Sequence, residues 1–328
     1  MVGNKMKKVL FLCDKKYYLS KMSRVRFHSM EAISKVTDFK WSGPGWDGYN
    51  NELSVQENID SLYDKESKPD LVVGYKPLEL VDFASVEQKT CIRYNEMYDH
   101  EWTLKEINET KPNIIVCHHL NDMKEYEELF KNNPLDFDTK LVNIPHSAEK
   151  SIFYDQDNPR PFDFMLVGAL GVKTMLGDHY PLRTRMAGIL QTLSERGHQC
   201  AIVRHPGGDH NDAHTDRYAK DFADVLNKTK IAITCSGAPN SRYGKYIEIP
   251  MCNTAIAGDI PGEDQIRLKT FVIEINMDMT DQEIMDKLVF FKQNRTQRKM
   301  NVRLGSLWAD QFTQEKYAER FVNMLGEL

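Results

Sequence analysis

The sequence predicts an α/β protein of two successive doubly wound domains with parallel sheets, and three observations carry that prediction. Its 328 residues are about twice the ~150 that one domain commonly takes. Its apolar runs are continuous instead of alternating, as strands covered by helices on both faces require. Those runs take turns with segments of helical periodicity, the pattern of βαβ units.

The elements follow in order. Residues 9–13 (VLFLC) form the first buried strand, and Met30, Ile33 and Val36 mark a helix face before a second strand that ends near Ser42. Further strands are predicted at 71–73, 91–94, 114–117 and 141–144, with a helix around Leu104 and Ile107. The polar, Pro-containing stretch 153–162 (FYDQDNPRPF) then separates the domains. The second series opens with a strand at 164–168. In the helix that follows, Pro181 suits the first position, Leu182, Met186, Ile189, Leu190 and Leu193 form one stripe, and Gly197 suits the C-terminal cap. Strands come next at 201–203, 231–234, 254–257 and 271–275. Thr280 with Glu283 reads as a capping box for the helix through Met285, Leu288 and Phe291. The last segment is amphipathic through Tyr317, Phe321, Met324 and Leu325.

Composition excludes several function classes. With 41% hydrophobic and 28% charged residues, the chain has the balance of a globular protein and lacks the bias of disordered ones. Its net charge of -5 argues against a protein that coats nucleic acid or anionic lipid, while leaving room for a local basic pocket. No stretch approaches the ~20 apolar residues of a membrane helix. Six scattered cysteines without C-x-x-C spacing read as buried thiols, so a cytoplasmic location is expected. No G-x-G-x-x-G or G-K-S/T loop is present, which weakens a dehydrogenase or P-loop ATPase. His210 and His214 in GGDHNDAHTD read as a solvated loop, and no metal site is expected.

Residues 242–264, RYGKYIEIPMCNTAIAGDIPGED, carry the most chemistry. A short helix bearing Lys245 and Glu248 runs to Asn253, which tolerates a left-handed cap, and then directly into a strand. Pro250 requires that helix to be short or bent. The run resembles the donor-site element of GT-B glycosyltransferases, close to the group 1 and CgeB-like patterns, where Lys-aromatic-x-Glu-x-Pro-x-Cys-Gly precedes a strand. The resemblance implies a GT-B-like fold, with two Rossmann-like doubly wound domains facing a central cleft. Residues 1–159 would form the acceptor side and 160–303 the nucleotide-sugar donor domain, while 304–328 would supply a helix crossing back to the first domain.

Within that resemblance Glu248 matches the glutamate that holds the ribose hydroxyls, a task suited to a carboxylate because it accepts two hydrogen bonds at once. A diphosphate needs cations, and Arg242, Lys245 and Arg183 of the string YPLRTR are the candidates. Tyr246 is the aromatic member of the run, and Gly207 lies in the turn HPGG that would sit beside the base. Retaining members carry an earlier glutamate eight residues before the second, where this chain has Asn240, a residue limited to neutral hydrogen bonds. Asn253 likewise replaces the usual glycine. In PNIIVCHHLND, His118 matches a histidine that reaches the donor sugar, with His119 the neighbouring register.

The implied function is transfer of a sugar from a UDP- or GDP-linked donor to an unidentified glycan or other small acceptor. No obligatory cofactor, nucleic-acid partner or transmembrane segment is expected. Two alternatives stand beside it: a sugar-nucleotide epimerase on the same scaffold, and a catalytically inactive two-lobed binding protein, which the departure at Asn240 keeps open.

Overall fold

The computed structural model describes residues 6–19, 24–74, 83–94, 99–174, 177–203 and 217–327. The described residues fall into two compact units, with residues up to 145 and from 314 onward in the first and 146–313 in the second.

The first unit holds six strands: β1 (Lys8–Leu12), β2 (Asp38–Ser42), β3 (Leu71–Gly74), β4 (Thr90–Tyr94), β5 (Ile114–Cys117) and β6 (Lys140–Asn143). They pair in parallel in the order β2-β1-β3-β4-β5-β6. Every residue of β3 and β5 is buried, which explains their unbroken apolar runs. Helices α1 (Lys15–Leu19), α2 (Arg24–Ser34), α3 (Val55–Leu62), α4 (His100–Thr110) and α5 (Leu120–Asn132) connect them. A capping box between Ser54 and Glu57 starts α3. The C-terminal helix, Gln314–Gly326, buries Tyr317, Phe321, Met324 and Leu325 with Met30 and Ile33 against one face of this sheet. Val36 departs from the sequence reading: α2 ends at Ser34, and Val36 lies beyond it, exposed.

In the second unit β7 (Phe162–Val167) leads through a two-strand hairpin, β8 (Lys173–Thr174) and β9 (Gly177–Asp178), into α6 (Pro181–Glu195). After β10 (Cys200–Val203) come α7 (Arg217–Asn227), β11 (Thr229–Ile233), α8 (Lys245–Met251), β12 (Ala255–Gly258), α9 (Gln265–Leu268) and β13 (Ile273–Glu274). Two helices close the unit, α10 (Asp281–Gln293) and α11 (Arg295–Ala309). The sheet is parallel in the order β10-β7-β11-β12-β13. Leu182, Met186 and Ile189 of α6 pack with Ile284 and Leu288 of α10 on one face. On the other, Phe222, Ile247, Met251 and Trp308 bring in α7, α8 and α11.

Local signals account for the helix ends. Pro181 occupies the first turn of α6, and Thr280 with Glu283 forms the capping box of α10. Pro250 confines α8 to seven residues, and Asn253 just beyond it has a left-handed backbone (φ 49°). Gly305 lets α11 approach closely, since a Cβ there would stand 2.9 Å from the Phe271 ring and 3.2 Å from Pro250.

In each unit the first strand sends its connection to one side and the next to the other, so β1 and β3, and β7 and β11, flank topological switch points. Open α/β sheets bind ligands there, at the carboxyl ends of the strands. Among the described residues no helix is long and apolar enough to cross a membrane.

Candidate functional site

Gly168 follows β7 with φ 120°, in a region that L side chains rarely adopt. Its N–H donates to the Val203 carbonyl (3.0 Å), which holds the turn beside β10. A Cβ at Gly168 would lie 2.6 Å from Arg183 Nη1 and 3.1 Å from Lys245 Cε, so the absence of a side chain admits both cations. The first turn of α6 delivers Arg183 and the first residue of α8 delivers Lys245. Three elements far apart in sequence thus meet at the β7/β11 switch point.

Arg183 is 2% exposed. Its Nη2 donates to Thr234 Oγ1 (3.3 Å) and to the Cys235 carbonyl (3.2 Å), both just past β11. The guanidinium lies 3.9 Å from the Tyr180 ring centroid, a cation–π contact that keeps the plane fixed. These acceptors are neutral. Among the described residues no carboxylate pairs with Arg183.

Around this corner the loop 235–244 is tied down by polar contacts. Asp259, after β12, accepts from the Ser236 N–H (2.8 Å) and hydroxyl, and Tyr246 donates to the Asp259 carbonyl (2.7 Å). His179 Nε2 lies 2.9 Å from the Tyr243 hydroxyl. Burial and the nearby Arg183 lower the His179 pKa, which keeps this ring neutral. A cavity of about 230 Å³ opens between Pro181, Cys235, Gly237, Asp259 and residues 276–278, over the carboxyl ends of β11, β12 and β13.

The structure separates the residues named from the sequence. Arg183 and Lys245 meet at Gly168. Glu248 is buried, with its carboxylate folded back toward Gly244, where a Cβ would stand 3.7 Å from Oε1. That burial excludes a solvated helix charge. Tyr246 is fully buried beneath the site and anchors Asp259. Arg242 is engaged elsewhere: its Nε stands 3.8 Å from Glu263 Oε2, and its guanidinium lies 4.2 Å from the Phe312 ring centroid. Asn240 is exposed in a left-handed turn (φ 55°), and its carbonyl accepts from the Gly262 N–H. Gly207 lies outside the described residues.

In the first unit His118 and His119 follow β5 and are wholly buried. His118 Nδ1 is 2.8 Å from the Ile144 carbonyl. A carbonyl only accepts, so Nδ1 carries the proton and Nε2 is left as an acceptor. Burial, then Arg93 and His119, push the His118 pKa well below its ordinary value. Its ring lies 5.6 Å from that of Tyr317. Trp46 is an anchor: it donates to the Cys13 carbonyl (3.1 Å) and stacks on Trp41.

Gly168, Thr234, Cys235, Asp259 and His179 were not singled out from the sequence. Only Gly168 carried a local signal, a glycine ending a buried strand some fifteen residues before a basic helix start. Among the described residues no three His, Cys, Asp or Glu side chains converge as a metal site.

No protein-family model and no curated protein sequence matches the chain. Solved structures do match its fold. A glycosyltransferase from Rickettsia africae superposes with a TM-score of 0.60 at 11% identity, covering 99% of this chain and 98% of that one. HepE from Anabaena, solved with UDP and glucose, gives 0.58 at 9% identity over 98% and 100%. Sucrose-phosphate synthase from Thermosynechococcus elongatus gives 0.58 at 10% identity over 98% of each chain. The chain therefore has the GT-B fold, two Rossmann-like α/β domains.

Proposed function

We propose that the protein is a glycosyltransferase that takes its sugar from a nucleotide-diphosphate donor, with the diphosphate on the second unit at Gly168. The observation that supports this most is the meeting of Arg183 and Lys245 over a glycine at the β7/β11 switch point. As the bond from sugar to diphosphate breaks, negative charge grows on the leaving phosphate, and preorganised cations there lower the barrier. UDP is the nucleotide to test first, because HepE was solved with UDP and glucose.

Glu248 is proposed to accept from the ribose hydroxyls and Asn240 to offer neutral hydrogen bonds toward the donor sugar. His118 is proposed to take part in turnover through its neutral Nε2, as an acceptor for a hydroxyl proton. Arg242 acts on the site through position, by fixing the loop that ends in Lys245.

A panel of UDP- and GDP-sugars, assayed for released nucleotide and for the fate of the sugar, tests the reading. Nucleotide release by hydrolysis or transfer is expected. Recovery of an epimerised donor with no release would point instead to an epimerase, and saturable binding without turnover to an inactive binding protein.

A further inference from the structure

The outward half of α11 is the strongest feature away from this corner. At about 100° per residue, Asn301, Gly305, Trp308 and Ala309 share the inner half and are buried. Arg295, Lys299 and Arg303, spaced i, i+4, i+8, form a basic stripe on the outer half. Beside it runs an apolar stripe, Met300, Leu304 and Leu307, exposed by 50%, 39% and 59%. Trp308 Nε1 donates to the Asp264 carboxylate (2.6 Å), which fastens α9 to the C-terminal end of the same helix. On α9, Ile266 stands 86% exposed, next in sequence to Arg267.

The charge is as uneven as the apolar surface. Helix α11 contains no acidic residue, in a chain whose net charge is -5. Asp310, which follows it, pairs with Lys150 at 3.2 Å.

We propose that this face of the second unit docks on an anionic lipid surface, with Arg295, Lys299 and Arg303 at the headgroup phosphates and Met300, Leu304 and Leu307 entering the acyl boundary. A helix with basic and apolar stripes side by side is built to lie in a membrane interface. The apolar members are all aliphatic, which suits acyl chains, whereas single-stranded nucleic acid is gripped by aromatic stacking. The inference does not rest on the donor reading.

Co-sedimentation of the full chain with phosphatidylcholine vesicles, with and without phosphatidylglycerol, tests it. Binding is expected only to the anionic vesicles and weakens as salt is added. Neutralising the stripe (Arg295→Gln, Lys299→Gln, Arg303→Gln) should lower partition about 100-fold, at about 1 kcal/mol per basic residue. The apolar triple Met300→Ser, Leu304→Ser, Leu307→Ser should also bind less, with its residual binding lost at high salt. Both variants should remain folded, since none of the changed side chains belongs to the buried core clusters. Sedimentation indifferent to anionic lipid, or unchanged in both variants, overturns the proposal. So does a wild-type dimer that the apolar triple converts to monomer, which would make the face a self-contact, or retention of a single-stranded oligonucleotide without vesicle binding.

Discussion

Arg183 and Arg242 are two buried arginines of the same unit, 2% and 4% exposed, and they differ in what answers their charge. Arg242 has Glu263 and the Phe312 and Trp308 rings. Arg183 has a hydroxyl, a carbonyl and the Tyr180 ring. Burying a charge without a counter-charge is unfavourable, so the second arrangement makes sense where a ligand completes it. The first has its counter-charge in Glu263. On the proposed reading, charge balance, more than burial or residue type, divides a binding arginine from a structural one.

The comparison breaks most visibly at Arg242. Arg242→Met removes the guanidinium that faces the buried Glu263 carboxylate and should cost about 3 to 5 kcal/mol of stability, the usual result of removing one partner of a buried pair. Adding Glu263→Gln should restore part of that. Denaturant unfolding measures both, and a single variant as stable as wild type would mean the pair contributes nothing.

Gly168→Ala places a Cβ against both site cations and forces a strained backbone, which should cost about 1 to 3 kcal/mol and weaken nucleotide binding. Gly188, inside α6, has open space around its Cβ position, so Gly188→Ala should stabilise by about 0.5 to 1 kcal/mol. Melting curves that move the same way for both would contradict the reading of Gly168.

Glu248→Gln removes the carboxylate charge at nearly constant volume. Hydrogen bonds to charged groups contribute roughly 1.5 to 3 kcal/mol against about 0.5 to 1.5 for neutral ones, so about 1 to 2 kcal/mol of nucleotide affinity should be lost. That is about five- to thirtyfold in Kd. A 2′,3′-dideoxy nucleotide should bind both proteins alike; equal losses for it would show Glu248 acting on helix geometry.

His118 yields the smallest effect. Its folded pKa is depressed below the unfolded value of about 6.5. Above pH 6.5 both states are neutral and its contribution is whole. As pH falls from there toward the folded pKa, the unfolded state gains the proton first and stability is lost, by at most about 1.4 kcal/mol per pH unit. Stability followed from pH 7 to 5 should therefore fall less steeply in His118→Gln than in wild type, and parallel curves would refute a neutral buried imidazole.

Much of the architecture was legible where neighbouring residues determine it. The pairing of Thr280 with Glu283, Pro181 at its helix start and Asn253 at its cap are contests settled within a few residues, and the structure reproduces each. Val36 fails for the same kind of reason, because the helix stops two residues before it. The geometry of the candidate site was legible only in part. Arg183, Lys245 and Glu248 stood out by type and motif, but Gly168 read as the last residue of a strand. Arg242 stood out as a phosphate candidate, but its contacts with Glu263 and Phe312, 21 and 70 positions away, were not legible because they come together only through packing.

The central claim is that the charge of Arg183 is kept for a diphosphate. Calorimetric titration of UDP and of uridine into wild type and Arg183→Met tests it most directly. One lost charge-assisted contact of roughly 1.5 to 3 kcal/mol predicts a UDP Kd weakened about ten- to a hundredfold, with uridine affinity unchanged and a smaller loss of unliganded stability than in Arg242→Met, since among the described residues no carboxylate pairs with Arg183. Equal losses for UDP and uridine, or a variant destabilised as severely as Arg242→Met, would contradict it.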